Sequence, residues 1–102
     1  DLNRNFPYQW GAWNGSSGDS CSQVYRGPMA ASEPESAAIL AYVNSIFPDY
    51  RPDDFTTAAP SDSAGIFLDV HSAGGLLLWP WGFRPELAPN GISLATLGRR
   101  LA

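Results

Sequence analysis

The run Ile66-Phe67-Leu68-Asp69-Val70-His71-Ser72-Ala73-Gly74-Gly75-Leu76-Leu77-Leu78-Trp79-Pro80-Trp81 constrains the fold more than any other stretch. Apolar, partly β-branched residues lead into Asp-x-His-Ser, two glycines follow, and a second apolar run begins. The pattern predicts a buried strand over 65–71, a tight crossing and a second strand over 76–81. Strand alternation puts Ile66, Leu68 and Val70 on one face and Phe67, Asp69 and His71 on the other. A carboxylate and an imidazole are then expected together at the carboxyl end of a strand. That is where open α/β sheets bind their ligands.

The flanking segments supply loops and two helices. Residues 1–31 carry Pro7, Gly11, Asn14-Gly15, Gly18-Asp19 and Gly27-Pro28 with aromatic residues between them, and read as a long, packed loop. Long loops without regular structure are usually functional. Ser32-Glu33-Pro34-Glu35 has the form of a capping box, in which Ser32 and Glu35 satisfy each other's backbone amides. Ile39, Leu40, Val43, Ile46 and Phe47 follow at helical spacing, and Pro48 ends the run. Residues 48–63 form a polar connector with Pro48, Pro52 and Pro60. A last helix is expected from Ser93, with Leu94, Leu97 and Leu101 on one face. The order loop, helix, strand, strand, helix is that of an α/β fold.

A chain of 102 residues makes at most one domain, with a modest core. A hydrophobic content of 44% and a charged content of 16% exclude a disordered composition. The net charge is −4, with ten acidic residues against six basic ones, all arginine. Without a basic cluster, nucleic acid is not the expected partner. No apolar run reaches the length of about 18 residues that would span a membrane, and no signal peptide is visible. Asp1-Leu2-Asn3-Arg4-Asn5-Phe6 already reads as the interior of a domain, so the chain is expected to be a piece of a longer one. The single Cys21 has no partner within the sequence.

Two groups of residues can carry chemistry. His71, the single histidine, is either a satisfied imidazole at a strand end or a metal ligand. In the second case Asp69 is placed to fix its tautomer and direction. A zinc site needs about three protein ligands, and His71 alone supplies one. Asn3-Arg4 is either part of a solvated loop or an anion-recognition pair. In the latter reading the guanidinium offers a two-pronged fork for a carboxylate and the neighbouring amide adds a donor. Ser72 lacks the glycine-flanked elbow of a nucleophile. Cys21 has no histidine nearby in sequence, Glu33 and Glu35 are explained by the helix start, and Trp79 and Trp81 read as packing residues.

Three ordered blocks resemble the carboxypeptidase A-like zinc metallocarboxypeptidases, and within them the bacterial carboxypeptidase T-like branch. They are Asp1-Leu2-Asn3-Arg4-Asn5-Phe6; Cys21-Ser22-Gln23-Val24-Tyr25-Arg26-Gly27-Pro28 running on to Ser32-Glu33-Pro34-Glu35; and Leu68-Asp69-Val70-His71-Ser72 with Leu76-Leu77-Leu78-Trp79-Pro80-Trp81-Gly82. The resemblance implies that residues 1–102 are the central fragment of a catalytic domain. That fragment would be a partial three-layer piece of a mixed β-sheet flanked by helices. It implies that His71 is a zinc ligand, that Asn3 and Arg4 hold the substrate's terminal carboxylate, and that Asp1 hydrogen-bonds another ligating histidine. Ser72 would line the groove before the scissile bond, and Ala73 stands where pancreatic enzymes carry a substrate-packing tyrosine.

By the same resemblance the remaining zinc ligands and a cysteine partner for Cys21 precede Asp1, while the general-base glutamate and the specificity pocket follow Ala102. His71 and Arg4 would be two walls of one site. The implied activity is zinc-assisted hydrolysis of C-terminal residues from peptides, in a secreted or periplasmic enzyme. The 102-residue piece alone is expected to be inactive. It is also expected to self-associate through exposed sheet edges, and light scattering at micromolar concentration checks this, a clean monomer being the contrary result. Two other readings are compatible with the blocks. One is an amidase or deacylase of the same clan, and the other is a non-catalytic carboxypeptidase-like module that binds peptide termini.

Overall fold

The computed structural model of the chain describes residues 1–72 and 74–102. They form two compact units, Asp1–Pro48 and Asp49–Ala102. Each is described by itself.

The first unit is organised around a polar residue. A short 3-10 turn, Leu2–Arg4, opens the chain, with the Asp1 carboxylate accepting from the Asn3 amide at 3.0 Å. Asn5 closes the turn through its own N–H to the Leu2 carbonyl, 3.0 Å. The Asn5 side chain is fully buried. Its Nδ2 donates to the carbonyls of Arg26 (2.8 Å) and Met29 (3.1 Å) and to the Ser32 hydroxyl (2.9 Å). Its Oδ1 accepts from the Glu33 amide at 3.1 Å, and its carbonyl accepts from the Ala31 amide at 2.8 Å. An amide has two protons, so one of the three Nδ2 bonds is shared. With every polar atom paired, burial of this side chain is not penalised.

Gly27 makes this arrangement possible. Its φ is +86°, and a Cβ there would sit 2.5 Å from Ser32 Oγ and 2.6 Å from Asn5 Nδ2. Around it the long loop is held by further bonds. Trp10 Nε1 donates to the Arg26 carbonyl at 3.1 Å, and the Arg26 guanidinium lies 5.0 Å from the centre of the Trp10 ring. A single parallel bridge joins Ser17 and Tyr25. The packed loop expected from the aromatic residues is therefore present around Trp10, while Tyr8 and Trp13 stay exposed.

Helix α1 spans Pro34–Ile46 and ends at the C-cap Phe47, immediately before Pro48. The predicted capping box does not form. The N-cap is Glu33, without a side-chain cap, and Pro34 is the first helical residue. The Ser32 hydroxyl instead accepts from Asn5 and donates to Glu33 Oε1 at 2.9 Å. A hydroxyl with a buried amide beside it is drawn off the helix end, and proline at the first position needs no capped donor. Of the predicted apolar face, Leu40, Val43 and Phe47 are half-buried, whereas Ile39 and Ile46 are exposed. Ser36 is buried and its hydroxyl reaches the Leu2 carbonyl at 3.5 Å.

The second unit departs most from the sequence reading. No strand forms among the described residues, so the predicted strands over 65–71 and 76–81, and with them the mixed sheet, are not observed. Ile66, Phe67, Leu68 and Val70 are between 60% and 82% exposed. The alternation that marks a strand fixes its faces, but a strand exists only where a neighbour takes its backbone donors and acceptors. No such ladder is present here.

What does pack in this unit is aromatic. Phe55, Trp81 and Phe83 form a three-ring cluster with centroids 5.5 to 6.0 Å apart, Phe55 meeting Trp81 edge-on. Arg51 lies 5.3 Å from the Trp81 ring and Arg84 4.9 Å from the Phe55 ring. Helix α2 spans Gly91–Leu101 with Asn90 as its N-cap, two residues earlier than the Ser93 start expected. Leu94 and Leu97 are half-buried and Leu101 is exposed. Gly98 is packed closely: a Cβ there would lie 2.8 Å from the Trp79 ring and 3.3 Å from Leu77. The expectation that Trp79 and Trp81 are packing residues agrees with both contacts.

Candidate functional site

Asp1, Asn3 and Arg4 share the opening turn. The turn exists because Asp1 is an N-cap residue whose carboxylate takes an otherwise unpaired amide. One Asp1 oxygen is used on the Asn3 amide, and the other lies 4.0 Å from Arg4 Nε. Arg4 also donates from Nη1 to the Asn3 carbonyl at 3.3 Å. Its Nε is buried and makes no hydrogen bond. Arg26 Nε is in the same state, while the Arg4 side chain as a whole is partly exposed. The Asn3 side chain is exposed beside it.

Asp69 and His71 pair in the second unit, as the alternation of the sequence implied. His71 Nε2 lies 2.9 Å from Asp69 Oδ2, with both side chains more than half exposed. In the tautomer with its proton on Nε2, this nitrogen donates to the carboxylate and Nδ1 is left as an acceptor. Ser72 is exposed next to it. Ala73, where the resemblance places a subsite difference, lies outside the described residues. Cys21 is exposed and free.

Among the described residues, no group of three or more His, Cys, Asp and Glu side chains comes together to hold a metal. One imidazole with its orienting carboxylate is short of the three protein ligands of a catalytic zinc. These residues alone therefore do not fit that ion. No helix among them is long and apolar enough to cross a membrane.

Sequence reasoning missed Asn5. It lies beside Arg4 and fixes the turn that presents it, yet its partners are 21 to 28 residues away. Asn5 and Gly27 both fall inside the blocks that carry the family resemblance, but nothing local in the sequence shows that the two meet.

A second polar turn stands apart from these groups. The Asp54 carboxylate accepts from the amides of Thr57 (2.6 Å) and Thr56 (2.7 Å) and from the Thr57 hydroxyl (2.7 Å). The Thr57 amide foremost, then the Thr57 hydroxyl and the Thr56 amide, lower its pKa to about 2. A carboxyl held below its unfolded value stabilises the turn above that unfolded value, about pH 4. The contribution is lost as pH falls from there through about 2. The carboxyl carbon shift of Asp54 is expected to titrate with a midpoint near 2; a midpoint near the free-peptide value of about 4 would show the turn unformed.

Comparison with known proteins places these observations. The zinc carboxypeptidase family matches residues 1–102, the whole chain. A metallocarboxypeptidase A-like protein of Trichophyton verrucosum is 36% identical over 93 residues, covering 88% of this chain and 18% of that one. Carboxypeptidase B of Helicoverpa zea is 31% identical over 102 residues, covering 100% of this chain and 20% of that one. Carboxypeptidase B of Bos taurus is 30% identical over 99 residues, covering 97% and 20%. No solved structure matches the chain significantly. The chain belongs to the zinc carboxypeptidase family. It spans about a fifth of the length of these curated relatives. The family implies an α/β fold and zinc in the complete domain, while the described residues supply the helices alone.

Proposed function

We propose that the chain is part of a zinc-dependent exopeptidase that removes C-terminal residues from peptides, with Asn3 and Arg4 binding the substrate's terminal carboxylate. The observation that carries this reading is the partly exposed Arg4 guanidinium, held in a capped turn beside the exposed Asn3 side chain. A carboxylate matches the guanidinium fork in shape and charge. The demand for a free carboxylate makes such an enzyme act at chain ends.

His71 is the candidate metal ligand of this chain. Its pairing with Asp69 supports the role, because it orients the ring and leaves Nδ1 available. Asp1 is proposed to hold a second ligating histidine from outside these residues, and Ser72 to line the groove for the residue before the scissile bond. The names of the relatives, metallocarboxypeptidase A-like protein and carboxypeptidase B, fit the same reading. With one ligand, the 102-residue chain alone is expected neither to retain stoichiometric zinc nor to turn over.

The test compares the full-length protein with the 102-residue chain on N-acyl dipeptides and their C-terminal amides. Turnover of the free acids by the full-length protein alone, with metal analysis giving zinc only there, is the expected result. Turnover and stoichiometric zinc in the short chain would refute its assigned incompleteness. Binding of free-acid peptides by the full-length protein without cleavage would identify a non-catalytic module. Preference for N-acyl amino acids or muropeptides would identify an amidase or deacylase instead.

A further inference from the structure

We propose that Asn5 is the positioning residue of the carboxylate-binding turn, setting the direction in which Arg4 presents its guanidinium; this rests on the reading that Arg4 binds the substrate carboxylate. All four polar atoms of Asn5 are engaged. Its backbone N–H closes the 3-10 turn on Leu2, and its carbonyl takes the Ala31 amide. Its side chain reaches Arg26, Met29, Ser32 and Glu33. The residue next to Arg4 is thus fixed to three separate points of the chain: the end of the long loop, the Met29–Ala31 bend and the start of α1. Arg4 has no comparable anchor. Its own contacts are a loose, partly buried pair with Asp1 at 4.0 Å and a bond to the neighbouring Asn3 carbonyl.

Two-pronged recognition tolerates errors of only about 0.5 Å and 10–20°. The main chain that delivers Arg4 must therefore be set by something rigid, and the Asn5 node is the rigid element adjacent to it. The chemistry of the node excludes close substitutes. Nδ2 faces two carbonyl oxygens and a hydroxyl, so a carboxylate of the same size would meet oxygen where a donor is required. Glu33 N–H, in contrast, requires the acceptor. Asparagine alone meets both demands at this length. The Arg26 carbonyl accepts from Asn5 and from Trp10 Nε1, so the node continues into the loop.

A residue that merely stabilises the unit changes the fraction of folded protein. A positioning residue changes KM for free-carboxylate substrates among the molecules that fold. The test uses the full-length protein with Asn5→Asp, Ser32→Ala and Arg4→Gln, assayed on the N-acyl dipeptide that the wild type cleaves fastest, with active-site concentration measured independently. Asn5→Asp is expected to raise KM about 10- to 100-fold, with kcat per folded molecule within about twofold, since small misplacements cost this much. Ser32→Ala removes one of three acceptors and is expected to raise KM about two- to threefold, with no side-chain cap of helix α1 to lose. An unchanged KM in Asn5→Asp overturns the proposal. If Asn5→Asp does not fold, Ser32→Ala decides: a raised KM supports the role and an unchanged one overturns it. Arg4→Gln separates the two readings. If it leaves KM unchanged, the carboxylate reading itself has failed and the positioning role fails with it. If it raises KM while the Asn5 and Ser32 variants do not, only the positioning role has failed.

Discussion

Gly27→Ala is expected to destabilise the full-length protein by about 3–8 kcal/mol, from backbone strain and lost buried hydrogen bonds together. The backbone there has φ +86°, where an added Cβ is strained by about 1–2 kcal/mol. The methyl group also lands 2.5 Å from Ser32 Oγ and 2.6 Å from Asn5 Nδ2. Neither atom can retreat without breaking bonds that replace water in a buried place, at about 1–3 kcal/mol each. Against a total stability of about 5–15 kcal/mol, this is a large fraction. Urea unfolding followed by tryptophan fluorescence measures it. A loss under about 1 kcal/mol would mean that the node can open at little cost.

Arg4→Gln is expected to lower kcat/KM on free-carboxylate substrates about 30- to 4,500-fold, the consequence of losing about 2–5 kcal/mol of a charge-assisted pair. The variant should also lose its preference for free acids over C-terminal amides. Stability should change by less than about 1 kcal/mol, because the pair with Asp1 is loose, at 4.0 Å, and only partly buried. Arg4→Lys restores the charge without the planar fork, and recovery is expected to be partial. A variant that keeps full discrimination between acid and amide would remove Arg4 from carboxylate recognition. Steady-state kinetics on paired acid and amide substrates reads all of these outcomes.

The parts of the structure that were legible in the sequence are those governed by near neighbours. Pro48 ends α1, because proline restricts the residue before it. The Asp69–His71 pair follows from two-residue alternation, which holds in an extended chain whether or not a sheet forms. The capping box failed on a competition between partners. Ser32 had a motif-perfect place at the helix start, but a buried amide took its hydroxyl. The strands failed on pairing, because the apolar run 66–78 carries the pattern of a strand without a ladder among the described residues. Asn5 was illegible because its partners are distant in sequence. Its bonds join the block around Asn3-Arg4 to the block from Tyr25 to Glu35, since Asn5 is hydrogen-bonded to Arg26, Ser32 and Glu33.

The node also has a consequence for the order in which this unit can assemble during synthesis. The turn that carries Arg4 is made before its fixings, which lie 21 to 28 residues later in the chain. Until Glu33 has been added, the turn has only its local bonds and Asp1 to hold it. Closing the first long loop costs most of the entropy, and extending it from 21 to 28 residues adds only about 0.3 kcal/mol. The bonds to Arg26, Met29, Ser32 and Glu33 should therefore form as one event once the chain reaches the start of α1. Arg4 acquires its fixed direction at that moment, after the turn that carries it has been made.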